Sequence, residues 1–429
     1  MVLFLVNPHA NLIKINKFKI NSKEIQKGDC YIAIKANKDG HKYIKEAVKN
    51  GASLIIVSKK QTQNIPTILV QNTNASLGKI ASLIREKYNP KVIAITGSVG
   101  KTTTRELLYT ILKTKYKCMQ SEKNYNNHIG LPLTIFNLNK DTEIAITEMG
   151  MNHLGEIKYL SKMVKPDIAV ITNIGSSHIG NLGSKENILK AKLEIKEGLK
   201  GPLFVKGDDP LLKNEKAYKS GFQNTNDLIA YELKSTLTAS SFKIKLKNKE
   251  YQIKVNLPSH LINNVLITIQ IGLYLNVDIN DIITALSTYQ TYDMRMNIIK
   301  KNSNTIINDC YNSSLESLTG VLNAIKDEKQ KKLLIIGDIN ELGLYATQIH
   351  QKIPKLLDNI SNKEVIFIGP NLKKINYQNA YHFDNYQETI TFLKTKKIEN
   401  TLILIKASRS LKLENITNYL ININYNEKV

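Results

Sequence analysis

Two rhythms of apolar residues alternate along most of this chain. Short, nearly unbroken β-type runs occur at Val92–Ile95, Glu143–Thr147, Ile168–Thr172 and Leu203–Val205, and again at Thr305–Ile307, Leu333–Ile336, Val365–Ile368 and Leu402–Ile405. Between them lie segments with helical spacing, such as Thr104–Leu112, where Leu107, Leu108, Ile111 and Leu112 are apolar. Apolar runs separated by helical patterns predict parallel sheets with helices packed on their faces. Ahead of residue 89 the strand signals are shorter, at Tyr31–Ile34 and Leu54–Val57, with an amphipathic segment Tyr43–Lys49 between them. Residues 221–256, rich in Asn, Ser and Thr, read as an inserted β region, and a helix follows over 261–275.

The punctuation of this pattern divides the chain. Asn89-Pro90 reads as a linker, and Tyr289 to Asn297 lacks clear periodicity and reads as a hinge. The expected architecture is therefore α/β in three domains: a small α/β domain over 1–88, a central P-loop domain with a parallel sheet over 89–297, and a C-terminal Rossmann-like α/β domain over 298–429.

The run Val92–Ile95 leads into Thr96-Gly97-Ser98-Val99-Gly100-Lys101-Thr102-Thr103, and a helical pattern follows directly. A strand, a Gly-rich turn, a Lys and a hydroxyl at a helix start form a phosphate cradle. Gly97 and Gly100 let backbone N–H groups approach a polyphosphate, with Ser98 and Thr103 in the same loop. Lys101 supplies charge, and the Thr102 hydroxyl suits Mg²⁺. The general P-loop pattern has a glycine where this chain has Ile95, so the form here is the shorter Gly-x-x-Gly-Lys-Thr. ATP or GTP is the expected ligand.

Ligands of open α/β sheets bind beyond the carboxyl ends of the strands, and the unusual polar residues stand there. Glu148 follows the second run of the middle block and Asn173 to His178 the third; Asp309, Gly337-Asp338, Gly369 and Lys406 hold the equivalent places later. A carboxylate such as Glu148 at a strand end either holds Mg²⁺ or is a solvated or helix-start acid. His178 is a packed or exposed histidine, or a neutral imidazole beside oxygen donors at a metal. A helix pattern over Glu186 to Leu199 puts Ile188, Lys192, Ile195 and Leu199 on one face. Lys192 there either snorkels or is functional, because burying an ammonium is costly. Asn126, Asn127 and His128, in the stretch Asn124 to Pro132 between a helix and an X-Pro turn, form a polar loop or a substrate contact.

Composition narrows this further. A length of 429 residues suits two or three domains. The formal charge of +23 is spread over dispersed lysines with no long basic run, so a solvated surface and steering of anionic substrates explain it without nucleic acid. Cys30, Cys118 and Cys310 are isolated, which fits a reducing compartment rather than a disulfide framework or a zinc site. No apolar run reaches the roughly 18 residues of a membrane span. The apolar start, Met1 to Val6, is too short for a signal sequence.

At these residues the chain resembles the ATP-dependent Mur ligases of peptidoglycan synthesis, and within them the MurF type, over essentially its whole length. Gly97 to Thr104 is similar to that family's phosphate loop, which has no glycine at the place of Ile95. Asn124 to Thr134, Glu148-Met149-Gly150-Met151-Asn152-His153 with the residues to Ile157, and Thr172 to Gly175 with His178 resemble the MurF-type signatures. Asn308 to Asn312, Gly337 to Gly343 and Lys406-Ala407-Ser408-Arg409 resemble stretches of the family's last domain, and Asp39-Gly40-His41 and Asn50-Gly51-Ala52 its first. The sequence departs from the family at Asn21-Ser22-Lys23, where Asp-Ser-Arg is usual, at Ser314 and Leu315, where Asn and Pro are usual, and at Ala407, where Gly is usual.

The resemblance implies that residues 1–88 bind the uridine nucleotide, and that the enzyme adds D-alanyl-D-alanine to UDP-N-acetylmuramoyl-tripeptide through an acyl phosphate. It implies Lys101, Glu148, His178 and Lys192 as catalytic residues. It implies ATP contacts from Gly97, Ser98, Gly100, Lys101, Thr102, Thr103, Asp309, Tyr311 and Asn312. Two Mg²⁺ sites follow, with Thr102, Glu148 and His178 as ligands and a carbamylated Lys192 beside the second. Substrate contacts fall to Ser22, Asn126, Asn127, His128 and Arg409. A bacterial, cytoplasmic monomer without nucleic acid or membrane insertion is the matching expectation. A different Mur-type or folylpolyglutamate-type ligase, and a nucleic-acid-dependent NTPase, are the alternatives.

Overall fold

A computed structural model describes residues 2–4, 13–122, 124–291 and 294–422. Its α/β sheets form three domains, and two compact units divide the chain: residues 1–96, 115–170 and 191–203 in one, and 97–114, 171–190 and 204–429 in the other.

After an antiparallel pair, Val2–Phe4 with Ile13–Ile15, the first unit has a small parallel sheet, Phe18–Lys19, Cys30–Ile32, Leu54–Val57 and Thr67–Leu69, in that order. Its core gathers Tyr31, Ile55 and Val57 from the strands with Ile44 and Ala47 from the helix Ile44–Lys49. The expected amphipathic segment thus packs as expected, its first turn tightened to a 3-10 helix over Gly40–Tyr43. Further along, Cys118–Gln120, Ile144–Glu148, Lys91–Thr96 and Ile168–Ile171 lie side by side. All but the first of these are wholly buried runs, apart from Lys91 at an entrance, which is why they read as unbroken apolar stretches. The helix Thr73–Tyr88 ends on Asn89 in the left-handed conformation, so the Asn89-Pro90 linker is a helix stop. Arg85 of that helix is buried. It donates to the carbonyls of Val164 and Lys165 and to Asp167 Oδ2, at 2.7, 3.2 and 3.1 Å. One guanidinium therefore ties this helix to the end of Glu156–Val164.

The second unit holds the inserted β region: Tyr218–Gly221, Leu228–Ser235, Ser240–Leu246 and Lys249–Val255, the last three antiparallel. The helix Ile262–Tyr274 follows. Its larger sheet runs Asn297–Lys301, Asn304–Asn308, Thr401–Lys406, Lys331–Gly337, Lys363–Ile368 and Ala380–Phe383, with only the first edge strand antiparallel. Alternate residues of these strands serve opposite faces. Leu334, Ile336, Phe367 and Leu404 pack with Leu318, Leu322 and Leu357 on one. Leu333, Ile335, Ile366 and Ile403 pack with Leu393, Ile416 and Leu420 on the other. Helices cover both faces of this sheet, as a doubly wound fold requires.

Three local readings change. Pro132 lies in the first turn of a helix, Gly130–Ile135, instead of closing an X-Pro turn; a missing N–H costs nothing there. The helix expected over Glu186 to Leu199 is α-helical only over Lys185–Leu193 and continues as a 3-10 helix to Gly198. Ile188, Lys192 and Ile195 are nevertheless all buried. The helix starts at Lys101, three residues earlier than Thr104, because the loop's lysine and threonines already adopt helical backbone. The expected hinge includes residues 292–293, outside the described residues, as do Met1, Leu5 and Val6 of the apolar start.

Arg85→Lys keeps the charge but removes the planar fork that bridges two carbonyls and a carboxylate. It is expected to cost about 2–3 kcal/mol, read as a lower denaturation midpoint of the first unit.

Candidate active site

The strand Lys91–Thr96 delivers the chain into the Gly97–Gly100 turn, and Gly100 starts the helix Lys101–Leu112. Both glycines have positive φ, 149° and 86°. A Cβ on Gly97 would lie 1.9 Å from Thr172 Oγ1, and one on Gly100 would lie 2.1 Å from Asn264 Nδ2. The turn is held from outside. Asn173 accepts from the N–H groups of Ser98 and Val99 at 3.2 and 3.0 Å, through its carbonyl and its amide oxygen. Thr172 donates to the Val99 carbonyl at 2.5 Å, and Asn264 to that of Gly100 at 3.1 Å. Lys101 Nζ donates to the Gly97 carbonyl at 2.5 Å, so its ammonium folds back over the loop. No side chain caps the helix. The first N–H groups of an α-helix have no acceptor within it and suit an anion, so Lys101, Thr102 and Thr103 stand where phosphate oxygens fit.

Thr172 and Asn173 follow the strand Ile168–Ile171, and the chain then turns through Gly175 to His178. Gly175 N–H donates to Ser98 Oγ at 2.8 Å, so Ser98 serves this second loop rather than standing open. Glu316, in the first turn of the helix Leu315–Ile325, accepts from the backbone and hydroxyl of Ser176 at 2.8 and 2.9 Å. Ser314 caps that helix in a box with Ser317, which gives the departure from the family's Asn a structural use. His178 Nδ1 lies 2.8 Å from Glu341 Oε2. The Glu341 carboxyl is held below the usual carboxylate range, first by its close contact with His178, with burial opposing and the charges of His178 and Lys101 assisting.

In the first unit, Glu148 is the last residue of the strand Ile144–Glu148, is 2% exposed, and pairs in register with Ile95, two positions before Gly97. Lys192 is 1% exposed among Ile188, Ala191 and Ile195. Among the described residues no three His, Cys, Asp or Glu side chains form a metal cage. Mg²⁺ needs none, since it takes one or two carboxylates and completes its shell with phosphate oxygens and water. A buried carboxylate at a strand end, such as Glu148, has the chemistry of one such ligand.

Asn127 and His128 line a cleft of about 320 Å³ with Asn74, Gly150, Tyr159 and Leu160. Asn127 also accepts from the N–H of Gly130 at 2.8 Å and so starts the next helix. Gly150 N–H donates to the Asn126 carbonyl at 2.8 Å, joining the two polar loops. Ser22 is buried and its hydroxyl is given to Glu46 at 2.5 Å.

In the last domain, Lys406 is buried and donates to Asp309 Oδ2 at 2.6 Å and to the Asn312 carbonyl at 3.3 Å. The Arg295 guanidinium sits 4.2 Å from the centre of the Tyr311 ring. Arg409 is half exposed and pairs with Glu414 at 3.0 Å. His260 lies near Asp309 and Lys406; burial pushes its pKa down to about 4, with Asp309 opposing and Lys406 assisting.

Sequence reading missed Asn264, Glu316, Glu341 and His260. Asn264 and His260 sit at a helix start with no pattern around them. Glu316 lies within the Ser-x-x-Ser cap signal, which could have found it.

A phosphate cradle at a helix start, with Glu316 of the last domain holding the neighbouring loop, is an arrangement that suits an ATP-using ligase. Residues 95–272 match the Mur ligase middle domain, and residues 294–409 the Mur ligase, glutamate ligase domain. The UDP-N-acetylmuramoyl-tripeptide--D-alanyl-D-alanine ligase of Bacillus subtilis is 34% identical over 97% of this chain and 95% of its own. MurF from Acinetobacter baumannii superposes with a TM-score of 0.89 at 27% identity, covering 96% of this chain and 94% of that one. MurF ligase from Thermotoga maritima, solved with ADP, gives 0.86 at 28% identity over 95% and 97%. The chain belongs to the Mur ligase family.

Gly97→Ala forces Thr172 aside and strains the turn by about 1–3 kcal/mol. Calorimetric titration is expected to show ADP binding weakened about tenfold to a hundredfold. His260, neutral when folded, binds a proton below about pH 6.5 only when unfolded, so folding stability falls as pH drops from 6.5 towards 4. The loss is about 3 kcal/mol at most, and denaturation at stepped pH should show a shallower fall for His260→Gln.

Proposed function

We infer that this chain is an ATP-dependent, ADP-forming ligase that joins D-alanyl-D-alanine to UDP-N-acetylmuramoyl-tripeptide in peptidoglycan precursor synthesis. The observation that carries this is the preformed phosphate cradle in a chain similar over nearly its whole length to ligases of that name. A carboxylate is a poor electrophile because oxide would have to leave. Transfer of the γ-phosphoryl group gives an acyl phosphate; the dipeptide amine attacks its carbonyl, and phosphate departs with the bonding pair.

Lys101 and the first-turn N–H groups hold the β- and γ-phosphates and take up charge as the transfer proceeds. Thr102 and Glu148 would hold one Mg²⁺, and His178 with a carbamylated Lys192 a second. The ions supply Lewis-acid screening between two anions that must approach each other. Lys192 is buried, and a carbamate there would exchange an ammonium for an anion that the second cation would neutralise. Asp309, Tyr311 and Asn312, gathered around Lys406 and Arg295, face the nucleoside. Asn126, Asn127 and His128, beside the cleft, and the half-exposed Arg409 are the substrate contacts. Ser22, whose hydroxyl is given to Glu46, completes the substrate contacts of this reading. The domain division at 88 and 297, a monomer and a bacterial cytoplasmic setting complete this reading.

The deciding experiment incubates the protein with ATP, Mg²⁺, each of the lysine- and diaminopimelate-containing UDP-tripeptides, and D-alanyl-D-alanine, and analyses products by mass spectrometry. A UDP-pentapeptide with ADP is expected; ADP released only upon adding DNA or RNA would overturn it. Lys192→Ala is expected to abolish ligation, with partial rescue by small carboxylates; full activity would remove Lys192 from the site.

A further inference from the structure

Three consecutive N–H groups beyond the strand Ile168–Ile171 go to three different segments. Ile174 donates to Asp209 Oδ2, Gly175 to Ser98 Oγ and Ser176 to Glu316 Oε1, each at 2.8 Å. Asp209 follows the strand Leu203–Lys206, Ser98 belongs to the phosphate cradle, and Glu316 stands in the helix Leu315–Ile325. That helix packs through Leu318 and Leu322 on Leu334 and Ile336 of the six-stranded sheet. The loop is therefore a junction between the cradle and the last sheet.

Gly175 is the narrow point of this junction. Its backbone is not left-handed, so the turn alone does not call for glycine. The space does. A Cβ there would lie 2.9 Å from Glu316 Cδ and 3.1 Å from each carboxylate oxygen, its three nearest neighbours outside the adjoining chain. Glu316 thus sits in a notch that a larger residue would fill. From that seat its second oxygen takes the Ser176 hydroxyl at 2.9 Å. Its own helix has no need of the carboxylate, because the Ser314–Ser317 box already closes the helix start. Lys185 Nζ stands 3.8 Å away, beyond hydrogen-bond distance.

We propose that Glu316 is a positioning residue for nucleotide binding: seated over Gly175, it holds the loop whose Gly175 N–H fixes Ser98, and so couples the last sheet to the phosphate cradle. This rests on the reading of the Gly97–Gly100 turn as a nucleotide site. Hydrogen bonds to a carboxylate are stronger than neutral ones, which suits a side chain that must hold a loop from a distant segment. Asp209 anchors the same loop from the strand side, so losing Glu316 loosens the loop without releasing it. The loosened cradle must then be ordered when phosphate arrives, and that ordering is paid in affinity.

The test measures binding of a non-hydrolysable ATP analogue to the full chain by calorimetry. Gly175→Ala, whose methyl pushes the carboxylate out of the notch, and Glu316→Ala are each expected to weaken binding about fivefold or more. In the double variant the methyl meets no carboxylate, so its affinity is expected to equal that of Glu316→Ala alone. Glu316→Gln offers an acceptor to the Ser176 N–H and a donor to its hydroxyl, and is expected to keep most of the affinity. Losses that add in the double variant overturn the proposal, because the methyl then acts elsewhere. Unchanged affinity in Glu316→Ala overturns it, as does a Glu316→Gln variant as weak as Glu316→Ala. An unaltered protein that does not bind the analogue overturns the nucleotide reading itself, and the proposal with it.

Discussion

Everything at this site depends on one steric constraint: at Gly97 and Gly100 the backbone passes neighbouring side chains too closely for a Cβ. Thr172 and Asn264 occupy that space and hydrogen-bond to the loop they press against. The contact is therefore both an exclusion and a clamp. It fixes the turn, the turn fixes where the helix Lys101–Leu112 begins, and the helix start aims its N–H groups. Lys101 and Thr102 acquire their positions from this chain of consequences.

The clamp joins segments far apart in sequence. Thr172 and Asn173 come from the end of a buried strand, and Asn264 from a helix that follows a β insertion. The loop bearing His178 is held in turn by carboxylates more than a hundred residues later, Glu316 and Glu341. Local sequence supplies the phosphate-binding groups; distant segments supply their rigidity. Precision of this kind matters in phosphoryl transfer, where catalysis is mostly placement and charge.

That division explains what was legible in the sequence. Strands such as Lys331–Gly337 and Thr401–Lys406 announced themselves because they are buried on both faces and must be apolar throughout. The cradle was legible because glycines, lysine and threonine must follow one another there. Lys192 was legible as a charge within an apolar stripe. Asn264 was not, because its partners are set by the fold and nothing in its own neighbourhood marks it; Glu316 and Glu341 lie in marked stretches, a cap signal and a family-like loop, but their contacts come from segments far away in sequence. The premature arrival of the helix at Lys101 and the place of Pro132 inside a first turn have a common cause. Both segments satisfy helix-start rules that apolar periodicity does not register.

The N–H groups of Ser98 and Val99 already have acceptors in Asn173. The loop's shape is consequently independent of any guest, and little ordering entropy is lost when a nucleotide arrives. A receptor that does not change shape is also a poor judge of phosphate number. ATP and ADP meet the same cradle at their shared phosphates, so the distinction between fuel and spent fuel must be drawn by groups that reach the terminal phosphate alone. The rigidity that speeds capture thereby leaves the timing of release to the parts of the protein that surround the loop.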